Sequence, residues 1–202
     1  MRYLYCLVGL FVLLGIAYAA GGHLPVQSPV MMDSDTYVDA DHASESFGDS
    51  DLLWASSSGG NPVKVAYLSF VNDFVTNSVS SSDQIDAAKL SLNVAKVEKP
   101  GKITAYFIEG PTTNEATWDS KAKYETEASG FADVEAEGEY SLDVTPIIKE
   151  AIKSCPGECG YTIALVAEGD ASVGFASSET CKDKKAEECS GKKPVLEYTL
   201  TD

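Results

Sequence analysis

From residue 33 onward, apolar positions recur every second residue rather than every third or fourth. Leu90, Leu92 and Val94 alternate with Lys89, Ser91 and Asn93, which sets three side chains on a buried face and three in water, as in a half-buried strand. Ile103, Ala105 and Phe107 repeat the alternation, as do Tyr161, Ile163 and Leu165, whereas residues 63–71 (VKVAYLSFV) are largely apolar on both faces, like a central strand. Further strands are predicted over 36–39, 52–56, 139–144, 172–176 and 195–200. One segment has the other period. Ile147, Ile148, Ala151 and Ile152 form a single stripe with Lys149, Glu150 and Lys153 facing out, Thr145 is placed to cap, and Pro146 suits a first helical turn. Residues 56–62, 76–83 and the long acidic stretch 110–138 read as loops. The pattern predicts an all-β fold: a jelly-roll-type β-sandwich of about nine or ten strands, with one short helix closing an end.

The first residues belong to trafficking. Met1 and Arg2 precede an apolar run over 4–17 that is short of the ~20 residues a membrane span requires, and Ala17-Tyr18-Ala19 supplies small residues for cleavage. The expected division is a signal peptide over 1–19, an extended segment over 20–32 and the sandwich domain over 33–202. The product is extracellular or at the cell surface, with no membrane span in the mature chain. Beyond Cys6, the cysteines Cys155, Cys159, Cys181 and Cys189 are an even set, and their short spacings favour disulfides Cys155–Cys159 and Cys181–Cys189 in an oxidising compartment. A thiolate zinc site would need tighter pairs.

Charge and composition narrow the function. Asp and Glu number 31 against 15 Lys and Arg, a net charge of −16, so nucleic acid is repelled from most of the surface. Arg2 is the only arginine, which removes bidentate anion recognition from the mature chain. The two histidines, His23 and His42, lie in the N-terminal segment and the acidic run, and no nucleophile elbow or zinc-protease motif occurs. The chain is not expected to be an enzyme.

Several short phrases then fall in a telling order: 35–39 (DTYVD), Phe47-Gly48-Asp49, 53–56, 66–70 (AYLSF), 87–94 (AAKLSLNV), Thr117-Trp118-Asp119, 142–145 (LDVT), 175–179 (FASSE) and 194–198 (PVLEY). Together they resemble the DNRLRE domain over nearly the whole mature chain. The resemblance implies a jelly-roll sandwich of secreted and surface-attached proteins, related to carbohydrate-binding modules and without catalytic residues of its own. Where that family often carries arginine, this chain has Ala66 and Ser178.

Four sets of candidate residues follow. Asp33, Asp35, Asp39, Asp41, Asp49 and Asp51 are the densest run of hard oxygen ligands and form a candidate calcium set, though not an EF-hand, since Val38 and Ser44 stand where glycine and glutamate are required. Leu24, Val26, Val30 and Met31 lie in the proline-punctuated 20–32 segment, suited to pairing with the edge of another copy as a donor strand. Tyr106, Trp118, Tyr124 and Phe131 are the candidates for stacking on sugar, while Trp118 and Phe175 are also expected to fill the core. The first reading is therefore a secreted structural or adhesive subunit that assembles with copies of itself into a filament, and the alternative is a module binding an extracellular polysaccharide. The natural product should begin at or near Ala20 by intact mass; a soluble form retaining Met1 would refute export.

Overall fold

The computed structural model describes residues 29–154, 157, 159–181 and 192–201. The alternating segments form ten strands: β1 (Met32–Asp39), β2 (Leu52–Ser58), β3 (Asn61–Phe70), β4 (Ile85–Lys99), β5 (Gly101–Glu109), β6 (Glu125–Val134), β7 (Gly138–Asp143), β8 (Tyr161–Ala167), β9 (Ser172–Ala176) and β10 (Val195–Leu200). Helix α1 (Thr145–Ser154) lies between β7 and β8. Every pairing is antiparallel. One layer runs β1-β3-β8-β5-β6; the other runs β2-β9-β4, with β7 and β10 on opposite edges of β4. The β2–β3 hairpin ties the layers together. This is the all-β sandwich that the period-two pattern requires.

The core between the layers is built from the inward residues of those alternations. Leu53, Phe70, Leu90, Phe107, Ile163 and Phe175 are all essentially buried there. Ile147, Ile148, Ala151 and Ile152 of α1 join the same core while the helix packs on β4, β5 and β6, so its stripe closes one end. Burying each of the three isoleucines contributes about 1.5–3 kcal/mol, which holds a ten-residue helix that would be marginal alone.

Three local expectations are corrected. Thr145 does not cap α1: the amide of Ile148 donates to the carbonyl of Val144 at 3.0 Å, while the Thr145 hydroxyl accepts from the amide of Ala88 at 2.8 Å, bonding the helix start to β4. Residues 56–62 are no open loop, because both strands run on to a two-residue turn at Gly59 and Gly60, with φ of 57° and 79°. Positive φ at both central residues matches the twist of a tight hairpin, and glycine takes it freely. The stretch 110–138 contains β6. Its inward residues Ala128 and Gly130 are too small to signal a strand, and its large apolar residue, Phe131, points outward.

Small size at Gly130 has a packing cause. A Cβ there would run into the backbone carbonyl of Asp143, where edge strand β6 meets the end of β7. Gly130→Ala should lower stability by about 1–3 kcal/mol as overpacking does, read as a lower urea midpoint at unchanged m; an unchanged midpoint would mean that the two edges are not in forced contact.

Candidate functional site

Strands β3 and β8 carry apolar residues on both faces. Ala66, Leu68 and Phe70 enter the core, whereas Val65 and Tyr67 point to the other side of the layer, together with Ala164 and Val166 of β8, Val38 of β1 and Ile108 of β5. This outer patch must be covered, and the segment between β5 and β6 covers it: Ala116 is buried against it, and Trp118, Ala122 and Tyr124 pack on it half-buried.

A row of hydroxyls pins the start of that covering segment. Ser34, Ser69 and Thr162 stand at one level across β1, β3 and β8. Ser34 Oγ donates to the carbonyl of Thr112 at 2.8 Å, and the Thr112 amide donates to Ser69 Oγ and Thr162 Oγ1, both at 2.9 Å. Thr162 Oγ1 also donates to the carbonyl of Gly110 at 2.9 Å. Further on, the Asp119 amide donates to the carbonyl of Ala43 at 3.0 Å. Sequence reading missed these serines and threonines; the available signal was a hydroxyl at matching places in two strands otherwise apolar on both faces.

Strand register places Tyr106 and Phe131 on this face, and the packing of the covering segment brings Trp118 and Tyr124 to it. Thr36, Tyr67, Ala164, Tyr106 and Ser129 form one row across the five strands, and Val38, Val65, Val166, Thr104 and Phe131 the next. Tyr106 and Tyr124 stack at 4.9 Å between ring centroids with planes 13° apart. Lys121 Nζ lies 4.1 Å from the Trp118 ring centroid and donates to the Trp118 carbonyl at 3.3 Å. Phe131 is 58% exposed, with Lys102 Nζ 4.6 Å from its centroid; Lys102 pairs with Glu168, which also accepts from Thr104 Oγ1. Trp118 therefore fills a smaller outer cluster rather than the main core, while Phe175 is in the core as expected. Between Asn61, Pro62 and the 118–124 segment lies an open groove of about 570 Å³, with Tyr67 and Val65 beneath it and Trp118, Tyr124, Asp119, Lys121 and Lys123 along it. Burial raises the phenol pKa of Tyr67 and Tyr124, so both are neutral hydroxyls at any ordinary pH.

The six carboxylates proposed for calcium disperse instead of converging. Asp33, Asp41, Asp49 and Asp51 are exposed at separate places, and among the described residues no three His, Cys, Asp or Glu side chains come together in a way that could hold a metal. Asp35 and Asp39 are the buried pair. Asp39 bonds Lys64 at 2.8 Å and His42 at 3.3 Å and accepts from the Asp41 amide; burial opposes its charge, but these partners hold its pKa below the usual value. Asp35 accepts from the Ser178 amide and hydroxyl, both at 2.7 Å, tying β1 to the turn after β9.

Of the residues assigned to assembly, Leu24 and Val26 lie outside the described residues. Val30 is buried in this chain's own core, its amide donating to the carbonyl of Leu196 at 2.9 Å, and only Met31 is exposed. Cys159 is disulfide-bonded. Cys155 and Cys189 lie outside the described residues, as does the expected signal peptide. Among the described residues no helix is long and apolar enough to cross a membrane.

A β-sandwich whose outer sheet face carries aromatic rings beside an open polar-rimmed groove has the build of a ligand-binding module. The sequence model of carbohydrate-binding module family 96 matches residues 26–188, and the chain belongs to that family. The relation to carbohydrate-binding modules implied by the DNRLRE resemblance is the part of it that this match supports. No curated protein matches the chain.

Burial raises the pKa of Asp35 against the hydrogen bonds from Ser178, with the charge of Glu179 adding to it. A carboxyl that binds its proton more tightly when folded adds stability as pH falls through its folded pKa, and at neutral pH its charge is a cost. Asp35→Asn keeps an acceptor for the Ser178 amide and removes that charge, so Tm at pH 7 should rise and the gain in Tm as pH falls from 7 toward the ordinary carboxylate range should shrink. A lower Tm at pH 7 would show that the ionised form is the one the fold prefers.

Proposed function

We propose that this protein is a non-catalytic, extracellular carbohydrate-binding protein that holds a polysaccharide on the outer face of its five-stranded layer, in the groove between Asn61 and the 118–124 segment. The groove carries the reading. It sets the half-buried Trp118 and Tyr124 beside Asn61, Asp119, Lys121 and Lys123, flat apolar surface for the C–H face of a sugar ring next to donors and acceptors for its hydroxyls. The covering segment is pinned before any ligand arrives, so binding costs little ordering. Membership in the family supports the ligand class, and the leader-like residues 1–19 together with the disulfide at Cys159 support the compartment.

Self-assembly through the N-terminal segment has less behind it. A donor strand must give its apolar residues to a neighbour, and Val30 is already committed to Leu196 of its own chain.

Affinity electrophoresis through gels cast with a panel of extracellular polysaccharides tests the reading. Wild-type protein should be retarded by at least one of them, and Trp118→Ala, Tyr124→Ala and the pair Lys121→Ala with Lys123→Ala should each weaken retardation. Removing a central aromatic anchor costs about 2 kcal/mol or more, about thirtyfold in affinity. Retardation unchanged in all three variants would remove the groove as the site.

A further inference from the structure

Trp54 lies on the opposite side of the molecule. It is half-buried and packs in part against the main core, but its neighbours Leu53 and Ala55 enter that core, so by alternation it lies on the outer side of the second layer, level with Gly174 of β9 and, beyond that, Lys96 of β4. The indole lies over Gly174: a Cβ at that position would sit 3.3–3.4 Å from three of its ring atoms. The ring thus packs against the bare backbone of Gly174, where a Cβ would press on it by no more than a few tenths of an ångström.

Polar groups surround this ring. Lys96 Nζ is 5.3 Å and Lys64 Nζ 5.9 Å from its centroid. Both cations are already neutralised, Lys96 by Glu98 at 3.0 Å and Lys64 by Asp39 at 2.8 Å. Glu98 also accepts from Ser172 Oγ, which in turn bonds Ser56 Oγ at 2.8 Å. Along β4 the same outer face continues through Asn93, Ser91 and Lys89, because Leu90, Leu92 and Val94 take the core side. Two open grooves of about 480 and 500 Å³ lie there and share Lys89 and Ser141; neither is lined by the aromatic residues of the first face. From Lys96 to Lys89 the face extends about 23 Å, room for several consecutive sugar rings. Lys89 too is paired, with Glu197 at 3.5 Å.

We infer that this face is a second, separate carbohydrate site, with Trp54 as the stacking platform, and that it takes a linear neutral polysaccharide. Paired lysines and carboxylates offer hydroxyls donors and acceptors side by side, whereas a polyanion would have to break each ion pair to gain a cation. In a chain of net charge −16 it would also approach against the field. The inference concerns a site on the other layer from the groove that carries the proposed function, and it rests on that proposal only for the ligand class.

Trp54 and Trp118 are the only tryptophans, so each can be read alone. In Trp118→Phe the fluorescence reports Trp54; in Trp54→Phe it reports Trp118. Titrating Trp118→Phe with oligomers of a linear neutral β-mannan should give a saturating spectral shift, and polygalacturonate at equal concentration should give none. In affinity gels containing galactomannan, Trp54→Ala should weaken the retardation of the full chain at least tenfold, with an unchanged Tm showing that the fold is intact. No shift with either polymer in Trp118→Phe, or a shift with polygalacturonate alone, would overturn the second site. If Trp54 gives no shift in Trp118→Phe while Trp118 still responds in Trp54→Phe, the first groove stands and this inference falls; if neither tryptophan responds to any polysaccharide, both fall.

Discussion

Strands β3 and β8 are apolar on both faces, and that fact governs the rest of the molecule. A sandwich has one interior, so two strands buried on both sides require a second cover. Here the cover is the connection between β5 and β6 rather than a helix or a third sheet. Val65, Tyr67, Ala164 and Val166 supply the apolar ground, and Ala116, Trp118 and Tyr124 close over it. A connection would otherwise be the most mobile part of such a fold. This one is instead fixed by burial and by the hydroxyls of Ser34, Ser69 and Thr162.

The two faces solve the problem of holding an aromatic ring at a surface differently. On the first, Trp118 and Tyr124 come from a loop and owe their placement to the apolar patch below them. On the second, Trp54 comes from a strand and packs against the bare backbone of Gly174. A ring held by a loop can adjust to its ligand at some ordering cost, while a ring on a strand is placed as rigidly as the sheet. The lysines follow the same division. Lys121 and Lys123 are in the loop beside the groove, whereas Lys64, Lys89 and Lys96 are anchored in strands beside carboxylates.

The sequence made the sandwich legible because alternation is a short-range property. Leu90, Leu92 and Val94 declare a buried face without reference to any other strand, and the two-faced run over 63–71 marked the strand that needs covering on both sides. Strand β6 was illegible for the converse reason: Gly130 is small because of Asp143, a residue thirteen positions away, and no local pattern records that. The four aromatic candidates were named without any knowledge that they share a face. For Tyr106 and Phe131 that follows from strand order β3-β8-β5-β6, which places Tyr67, Tyr106 and Ser129 in one row and Thr104 and Phe131 in the next; for Trp118 and Tyr124 it follows from the packing of the β5–β6 connection on that face.

The acidic run shows what spacing along the chain leaves out. Spacing alone made six aspartates look like one ligand set, yet only Asp33, Asp35 and Asp39 are in β1, and the chain then turns away through residues 40–51, which carry the other three. Asp35 and Asp39, four apart, point to the same side but meet different partners: Ser178 in one case, Lys64 and His42 in the other. Each fastens β1 to a different neighbour. The carboxylates that looked like a metal site are thus partly cross-braces of an edge strand and partly exposed charge, and charge on an edge keeps it from pairing with other sheets.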